Sequence, residues 1–255
     1  MSEEFNRSTA STATGSGGGR SDADYWSEHT RVSLSPVAAP SILGLYGFAA
    51  ATFMVSANLA GWFGTSSSEL IVFPLAMFVG GLAQFMAGMW AYRARDGLAT
   101  AMHGIWGSFW LAYGVYQMLV ATAVLPAPSA SPIAQVGFGY WFIVLAAITW
   151  AGLAASLAVN AALSSVLLTL GVGSTLLAIA WVGSITALVP IGAIVLVASA
   201  VLAYYTASAM MLQSTFGRAV LPVGAPRRAP AASAGSIPSQ PLAYEVEEPG
   251  VKHGQ

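Results

Sequence analysis

The sequence predicts an all-α integral membrane protein, a bundle of six transmembrane helices. Only 7% of its 255 residues are charged, 56% are hydrophobic, and the mean hydropathy is +0.69, whereas about a quarter of the residues of a soluble domain are charged. Four of the nineteen Asp, Glu, Lys and Arg residues fall within 41–217, and residues 97–217 contain none. A neutral segment of that length has to be solvated by lipid rather than by water.

Two polar tails flank the predicted membrane domain at 41–217. Residues 1–40 are rich in Ser, Thr, Gly and Ala, and residues 218–255 in Pro, Ala and Ser. Neither composition can bury enough apolar surface to offset the entropy lost on ordering, so both tails are predicted to be disordered. The N-terminal tail has no early apolar run of the kind that marks a secretory signal peptide.

Six apolar stretches between the tails are long enough to cross a bilayer, which takes about 20 helical residues. They cover about residues 42–64, 70–92, 99–125, 136–157, 163–183 and 188–212. Helices are predicted rather than strands, because lipid leaves open backbone groups without partners and the spacing shows no barrel pattern.

The first two spans carry narrow faces of small residues. Span one places one aromatic ring and one amide on such a face, at spacings of 4, 3, 4 and 3: Gly44, Phe48, Ala51, Val55 and Asn58. Span two surrounds Gln84 with small residues that favour close helix packing: Gly80, Gly81, Ala83, Ala87 and Gly88. Small residues at four-residue spacing let neighbouring helices approach closely.

Span three carries the most polar face of the bundle. Five residues at spacings of 3, 4, 3 and 4 share one side of that helix: His103, Trp106, Trp110, Tyr113 and Gln117. Such a face is predicted to contact other helices or a water-filled path. Among the later spans, span six adds hydroxyl and amide groups: Ser199, Tyr205, Thr206 and Gln213.

Structural roles for these residues stay open beside a pore-lining role. Asn58 and Gln84 are also suited to hydrogen bonding between helices. Trp110 and Tyr113 are also suited to packing or to the membrane interface. His103, near one end of span three, is also suited to a solvated or capping position.

Arginine placement predicts the orientation. Arg31 precedes span one, Arg93 and Arg95 lie between spans two and three, and Arg218 follows span six. An even number of spans puts these places on one side, which the positive-inside rule assigns to the cytoplasm. The protein is therefore predicted to cross the cell membrane with both termini in the cytoplasm.

Several functional classes are excluded by composition. A net charge of −1 offers no basic field for nucleic acid. Cysteine is absent and the three histidines are far apart, so neither a metal nor another cofactor is predicted. The spans lack Asp, Glu, Lys and Arg, which argues against a carboxylate-based pump, a voltage sensor and most hydrolytic enzymes. The protein is predicted not to be an enzyme.

Four blocks in order along residues 39–224 resemble the acetate uptake transporter family. They are Ala39-Pro40-Ser41-Ile42-Leu43-Gly44-Leu45, Gly80-Gly81-Leu82-Ala83-Gln84 with Ala87-Gly88, Gly107-Ser108-Phe109-Trp110, and Phe216-Gly217-Arg218 with Val220-Leu221-Pro222-Val223-Gly224. The resemblance implies a six-helix protomer that assembles into a hexamer. It also implies a path in each protomer for acetate and related monocarboxylates, succinate in some members, as the anion or with a proton.

The resemblance also implies roles for individual residues. The family's central constriction has Phe, Tyr and Leu, which correspond to Phe48, Trp106 and Leu170 here. Trp in place of Tyr enlarges the plug and removes a hydroxyl. Ala203 and Tyr205 resemble the small residue and the Tyr of the sixth helix, and Ala203 is predicted to influence selectivity.

A neutral pore is the mechanism consistent with the residues and with the resemblance. The N-terminus of span one, at Ser41, Leu43 and Gly44, is predicted to attract an anion through its free N–H groups. Polar side chains then replace water stepwise, and the Phe48, Trp106 and Leu170 ring forms a hydrophobic gate. Two alternatives stay open, namely transport of ammonium or another small neutral solute, and a membrane sensor that conducts nothing.

Overall fold

The described chain consists of six helices joined by short loops. A computed structural model describes residues 37–64, 68–127 and 130–224. The helices are α1 (Pro40–Leu59), α2 (three consecutive segments, Ser68–Leu75, Ala76–Ala83 and Gln84–Arg93), α3 (Gly97–Ala121), α4 (Pro132–Ser156), α5 (Ala161–Val182) and α6 (Leu188–Phe216). Within these residues no strand occurs, and the predicted all-helical membrane fold is confirmed.

Five of the six helices are both long and apolar enough to cross a membrane: α1, residues Leu70–Arg93 of α2, α4, α5 and α6. Helix α3 has 25 residues, which is also sufficient length. Its polar and aromatic face lowers its apolarity. That face is turned toward the other helices, since His103, Trp106 and Trp110 are all buried.

Side-chain caps fix where three of the helices begin. Asp96 accepts a hydrogen bond from Ala99 N at 3.0 Å, and Asn160 accepts one from Leu163 N at 2.8 Å. Ser131 does the same at the start of α4. Each cap satisfies an N–H group that the first helical turn leaves without a partner.

Helix α2 contains a π-helical segment, which is wider than an α-helix, between its two α-helical ends. The segment Ala76–Ala83 is π-helical and follows Pro74, which lies inside the helix and has no N–H to donate. Past this turn, α2 contacts α3 at backbone distance: a Cβ on Gly107 would lie 2.6 Å from the backbone N of Phe85. A Cβ on Gly88, one of the small residues of span two, would lie 2.6 Å from Gly104 N, so these residues allow the close packing that their spacing predicts.

The last residues described bind back onto the bundle. Ala161 N and Ala162 N donate to the carbonyl oxygens of Gly224 and Val223, both at 3.0 Å, and Tyr205 Oη donates to Pro222 O at 2.7 Å. Residues 218–224, assigned by sequence to the C-terminal tail, thus supply acceptors to the first turn of α5. Residues 37–40, assigned by sequence to the N-terminal tail, are also described, and Pro40 is the first residue of α1. The predicted disorder of residues 1–36 and 225–255 concerns residues outside those the structure describes.

Candidate functional site

Two cavities lie inside the bundle. The first, called here the Asp96 cavity, has a volume of about 70 Å³ and is lined by residues of α1, α2, α3, α5 and α6 together with Asp96 and Asn160. The second, called here the Gln117 cavity, has a volume of about 530 Å³ and is lined chiefly by residues of α1, α3, α4, α5 and α6. A cavity of the smaller size still holds several water molecules.

Three apolar side chains separate the two cavities. Trp106 and Leu170 line both, and Phe48 lines the Asp96 cavity. Their exposed fractions are only 3%, 2% and 3%, and all three belong to one buried cluster. The rings of Phe48 and Trp106 meet edge to face with centroids 6.2 Å apart. The structure thus brings together the three residues predicted to form the gate.

A buried hydroxyl fixes the indole of Trp106. The Trp106 Nε1–H donates to Thr149 Oγ1 at 3.1 Å, and the Thr149 hydroxyl donates to Leu145 O at 2.7 Å. Thr149 has no exposed surface. This chain of two hydrogen bonds ties the central ring to the backbone of α4, so its position does not depend on apolar packing alone.

Aromatic rings continue from Trp106 along the wall of the Gln117 cavity. Phe109 lies 5.4 Å from the Trp106 ring and 5.0 Å from that of Trp110 by centroid distance. Phe142 lies 5.5 Å from Phe109 and 4.9 Å from Trp181. All four contacts are edge to face, which is the arrangement that aromatic quadrupoles favour. They form a continuous aromatic wall on one side of the constriction.

Polar atoms without hydrogen-bond partners concentrate in the cavities. Within the described residues, six buried side-chain polar atoms have no partner, and five belong to residues that line a cavity. The five are Gln84 Oε1 and His103 Nδ1 in the Asp96 cavity, and Thr52 Oγ1, Trp110 Nε1 and Gln117 Oε1 in the Gln117 cavity. Buried polar atoms normally have partners, so these five are suited to bind water or a polar solute.

Charge is nearly absent from this path. Of the described residues that line either cavity, Asp96 alone carries a formal charge. No Lys or Arg is found among those lining residues. Any solute must therefore be held by hydroxyl, amide, imidazole and indole groups.

The three residues predicted for an anion site at the start of α1 have side chains in different surroundings. Ser41 lines the Asp96 cavity. Gly44 faces the His103 ring so closely that a Cβ there would lie 2.5 Å from His103 Cε1 and Nδ1. Leu43 is 48% exposed and lines a groove on the outer side of the bundle. Consecutive helical residues point about 100° apart, so the Leu43 side chain lies away from those of Ser41 and Gly44. The anion site at the backbone N–H groups of this helix start stays a prediction.

The remaining predicted pore residues also divide into two groups. Asn58 and Tyr113 line the Gln117 cavity, where Asn58 Nδ2 donates to Phe63 O. Ala203 is fully buried but is not among the lining residues of either cavity, and neither is Tyr205. The hydroxyl of Tyr205 binds the C-terminal segment instead, as described above.

The sequence did not indicate three polar residues at the cavities. Asp96 and Thr52 line a cavity, and Thr149 holds the lining residue Trp106. Asp96 lines its cavity because its capping bond to Ala99 turns the side chain back over α3. An Asp at the start of an apolar helix is a recognisable capping signal. Thr52 and Thr149 are isolated hydroxyls in apolar helices, and only the packing shows that one meets the cavity and the other meets Trp106.

Comparisons with known proteins agree with this architecture. The model of the GPR1/FUN34/yaaH family matches residues 24–224. Over 188 residues the chain is 27% identical to the succinate-acetate/proton symporter SatP of Escherichia coli (strain K12), an alignment that covers 74% of this chain and 96% of that protein. The fold is similar to the solved structure of the bacterial acetate channel SatP, with a TM-score of 0.67 and 26% identity over 74% of this chain and 99% of that one.

Yeast relatives match over shorter stretches. The chain is 37% identical over 75 residues to the ammonia transport outward protein 2 of Saccharomyces cerevisiae, and these residues span 29% of this chain and 26% of that protein. It spans 31% of the length of a matched Schizosaccharomyces pombe protein.

Proposed function

We propose, because the chain belongs to the GPR1/FUN34/yaaH family, that this multi-pass membrane protein moves acetate and related small monocarboxylates along a path through its own bundle. One observation carries the proposal: two cavities on either side of a buried apolar constriction share Trp106 and Leu170 as lining residues. The likeness to the bacterial acetate channel SatP supports acetate as the substrate. The role is transport rather than catalysis.

The polar atoms without partners can supply hydrogen bonds of the kind that a carboxyl group loses when it leaves water. Transfer of a carboxylate into hydrocarbon is prohibitive unless hydrogen bonds replace its hydration. Thr52 Oγ1 and Trp110 Nε1 on one side of the constriction can donate such bonds. The unpaired oxygens of Gln117 on that side and Gln84 on the other are acceptors, which can bind water or an O–H group. Neutral partners bind weakly, and weak binding favours release.

The gate selects by size. Phe48, Trp106 and Leu170 fill the constriction, so a solute passes only when these side chains move aside. A short monocarboxylate needs a small opening, and a dicarboxylate such as succinate needs a larger one. Substitution of Phe48 or Leu170 by Ala is therefore expected to speed acetate uptake and to raise succinate uptake by a larger factor.

Proteoliposomes test the gate with matched controls. Initial uptake of labelled acetate and succinate is measured for Phe48→Ala and Leu170→Ala. The controls Phe53→Ala and Leu168→Ala remove the same side chains from the same helices at positions that are 45% and 46% exposed. Unchanged rates in the first pair, or equal changes in both pairs, would contradict the gate.

Ammonium is the second candidate substrate, because a part of the chain resembles an ammonia transport protein. A panel of acetate, succinate and ammonium, measured with and without a pH gradient, separates these solutes. Uptake of none of them above protein-free liposomes would favour a non-conducting sensor.

Assembly as a homo-oligomer, a hexamer by resemblance, is part of the proposal and is tested by native mass spectrometry. Residence in the cell membrane with cytoplasmic termini is tested by tagging each terminus.

A further inference from the structure

We propose that the seam between α3 and α4 binds a medium-chain aliphatic alcohol from the bilayer, with its alkyl chain in a groove on the outer surface and its hydroxyl group on Gln117. A molecule bound there obstructs the Gln117 cavity and inhibits transport. The groove lies outside the path proposed for acetate, and binding in it does not depend on which solute the protein moves.

An apolar groove, called here the Phe138 groove, lies on the outer surface between α3 and α4. Its volume is about 320 Å³, and its eight described lining residues include no charged side chain. Phe109 lies at the middle of α3, and Tyr116 follows about 10 Å further along the helix axis. Ala112 and Gly137 are exposed, and a Cβ on Gly137 would have no neighbouring atom within 4 Å. The groove is therefore long and open enough to take an alkyl chain.

One layer of aromatic rings separates this groove from the Gln117 cavity. Phe109, Tyr113 and Phe138 line both. The ring of Phe138 meets that of Tyr116 on the groove side with centroids 5.0 Å apart, and it meets that of Trp181, a cavity-lining residue, at 6.0 Å. Phe138 is only half-buried. A molecule in the groove therefore needs to displace no more than these rings to reach the cavity.

The α3 and α4 seam differs from the rest of the bundle surface. Helices α3 and α4 contact each other less extensively than α4 and α5 or α5 and α6 do. The outer groove that includes Leu43, called here the Leu43 groove, is formed by α1, α2 and α6 and is also apolar. It shares no described lining residue with either cavity. The Leu43 groove is thus a built-in comparison, a lipid-facing groove without access to a polar group of a cavity.

The polar atom behind the ring layer is an acceptor. Gln117 Nε2 donates to Tyr113 Oη at 2.8 Å, and the buried Gln117 Oε1 has no partner among the described residues. An alcohol supplies the O–H donor that this oxygen needs, and it is uncharged when it enters from hydrocarbon. A carboxylate and the acyl chain of a phospholipid have no proton to donate to Oε1. No Lys or Arg occurs among the described residues that line the groove or the cavity, so an anionic head group would lack a positive partner.

Photolabelling in proteoliposomes tests the site. The probe is a diazirine derivative of 1-octanol, and its adducts are mapped by mass spectrometry at increasing concentration. Adducts in the Phe138 groove should saturate and should be displaced by excess 1-octanol. Adducts in the Leu43 groove should rise in proportion to the probe. Proportional labelling of both grooves, or no adducts in the Phe138 groove, would overturn the proposal.

Variants that fill the groove separate binding from general contact with lipid. Gly137→Phe and Ala112→Phe place a ring in the groove from α4 and from α3, so the chain has to lie partly in the aqueous cavity. Exposure of two methylene groups to water corresponds to about a tenfold higher half-saturating concentration of probe. Val144→Phe adds a ring at a position of α4 that is 58% exposed and outside the groove, and it should leave that concentration unchanged. Thermal melting shows that each variant is folded. No shift in either groove variant, or an equal shift in Val144→Phe, would contradict the site.

A head-group variant and an inhibition assay complete the test. Gln117→Met removes the acceptor and should raise the half-saturating concentration by up to about tenfold, the factor that one hydrogen bond supplies. An unchanged concentration would overturn the role of Gln117. In the unsubstituted protein 1-octanol should inhibit acetate uptake, and in Gly137→Phe it should inhibit less. Saturable labelling without inhibition would overturn the obstruction and leave the proposed function standing, whereas no acetate uptake even without 1-octanol would overturn the proposed function and leave the site standing.

Discussion

The hydrogen bond between Trp106 and Thr149 sets how firmly the central ring is held. The indole N–H donates to Thr149 Oγ1 at 3.1 Å, and the hydroxyl donates onward to Leu145 O. Thr149→Val keeps the shape of the side chain and removes the acceptor. The indole N–H is then left in a buried site without a partner, so the ring loses its fixed position.

The size of the effect follows from the energy of one such bond. A buried hydrogen bond contributes about 0.5–1.5 kcal/mol net, and about 1.4 kcal/mol corresponds to a factor of ten. Conformations in which the ring has left the constriction should therefore become about 2- to 12-fold more populated. If opening limits transport, the initial rate of acetate uptake should rise by that factor. The unfolding free energy should fall by about 1–3 kcal/mol, because the donor is buried.

The assay has a matched control in the same molecule. Trp150 Nε1 donates to Thr175 Oγ1 at 3.2 Å, a bond of the same type made by an indole that is 40% exposed and outside both cavities. Thr175→Val should leave uptake unchanged. Uptake at the unsubstituted rate in Thr149→Val, despite a lower melting temperature, would refute the reasoning. An equal increase in a Trp106→Phe background, which has no indole donor, would refute it as well.

Two further predictions concern packing and the C-terminal segment. Gly107→Ala places a methyl group 2.6 Å from the backbone N of Phe85, and it should destabilise the protein by about 1–3 kcal/mol in a thermal melt. Tyr205→Phe loses the 2.7 Å bond to Pro222 O, so limited trypsin digestion should cleave faster after the exposed Arg218 while acetate uptake stays within about twofold. An unchanged cleavage rate would show that this bond does not hold the segment.

The α3 face shows how far periodicity alone can predict the path. A spacing of 3, 4, 3 and 4 placed His103, Trp106, Trp110, Tyr113 and Gln117 on one side of a helix. In the structure all five line a cavity: His103 the first, Trp110, Tyr113 and Gln117 the second, and Trp106 both. Residues at helical spacing share a face, so a face can be predicted from sequence. Its division by a constriction depends on side chains from α1 and α5.

The direction of a side chain at an isolated position of a helix is harder to predict. Ser41, Leu43 and Gly44 are predicted to offer free N–H groups at one helix N-terminus, but the side chain of Leu43 points outward and is 48% exposed. Tyr205 is predicted to be a pore residue both from its hydroxyl in span six and by resemblance. It lies off the stripe of α6 that includes Thr206, and its hydroxyl reaches the C-terminal segment.

The distribution of unpaired polar atoms argues that the cavities serve transport rather than packing. Each buried polar atom without a partner destabilises a fold by about 1–3 kcal/mol, and apolar residues of similar size would avoid that loss. Five of the six such atoms in the described chain nevertheless belong to cavity-lining residues on either side of the gate. The gate residues themselves have no unpaired polar atom, since the Trp106 N–H is bonded to Thr149. Under the proposed function, polar groups are thus available where a solute would be held, and unpaired ones are absent from the constriction.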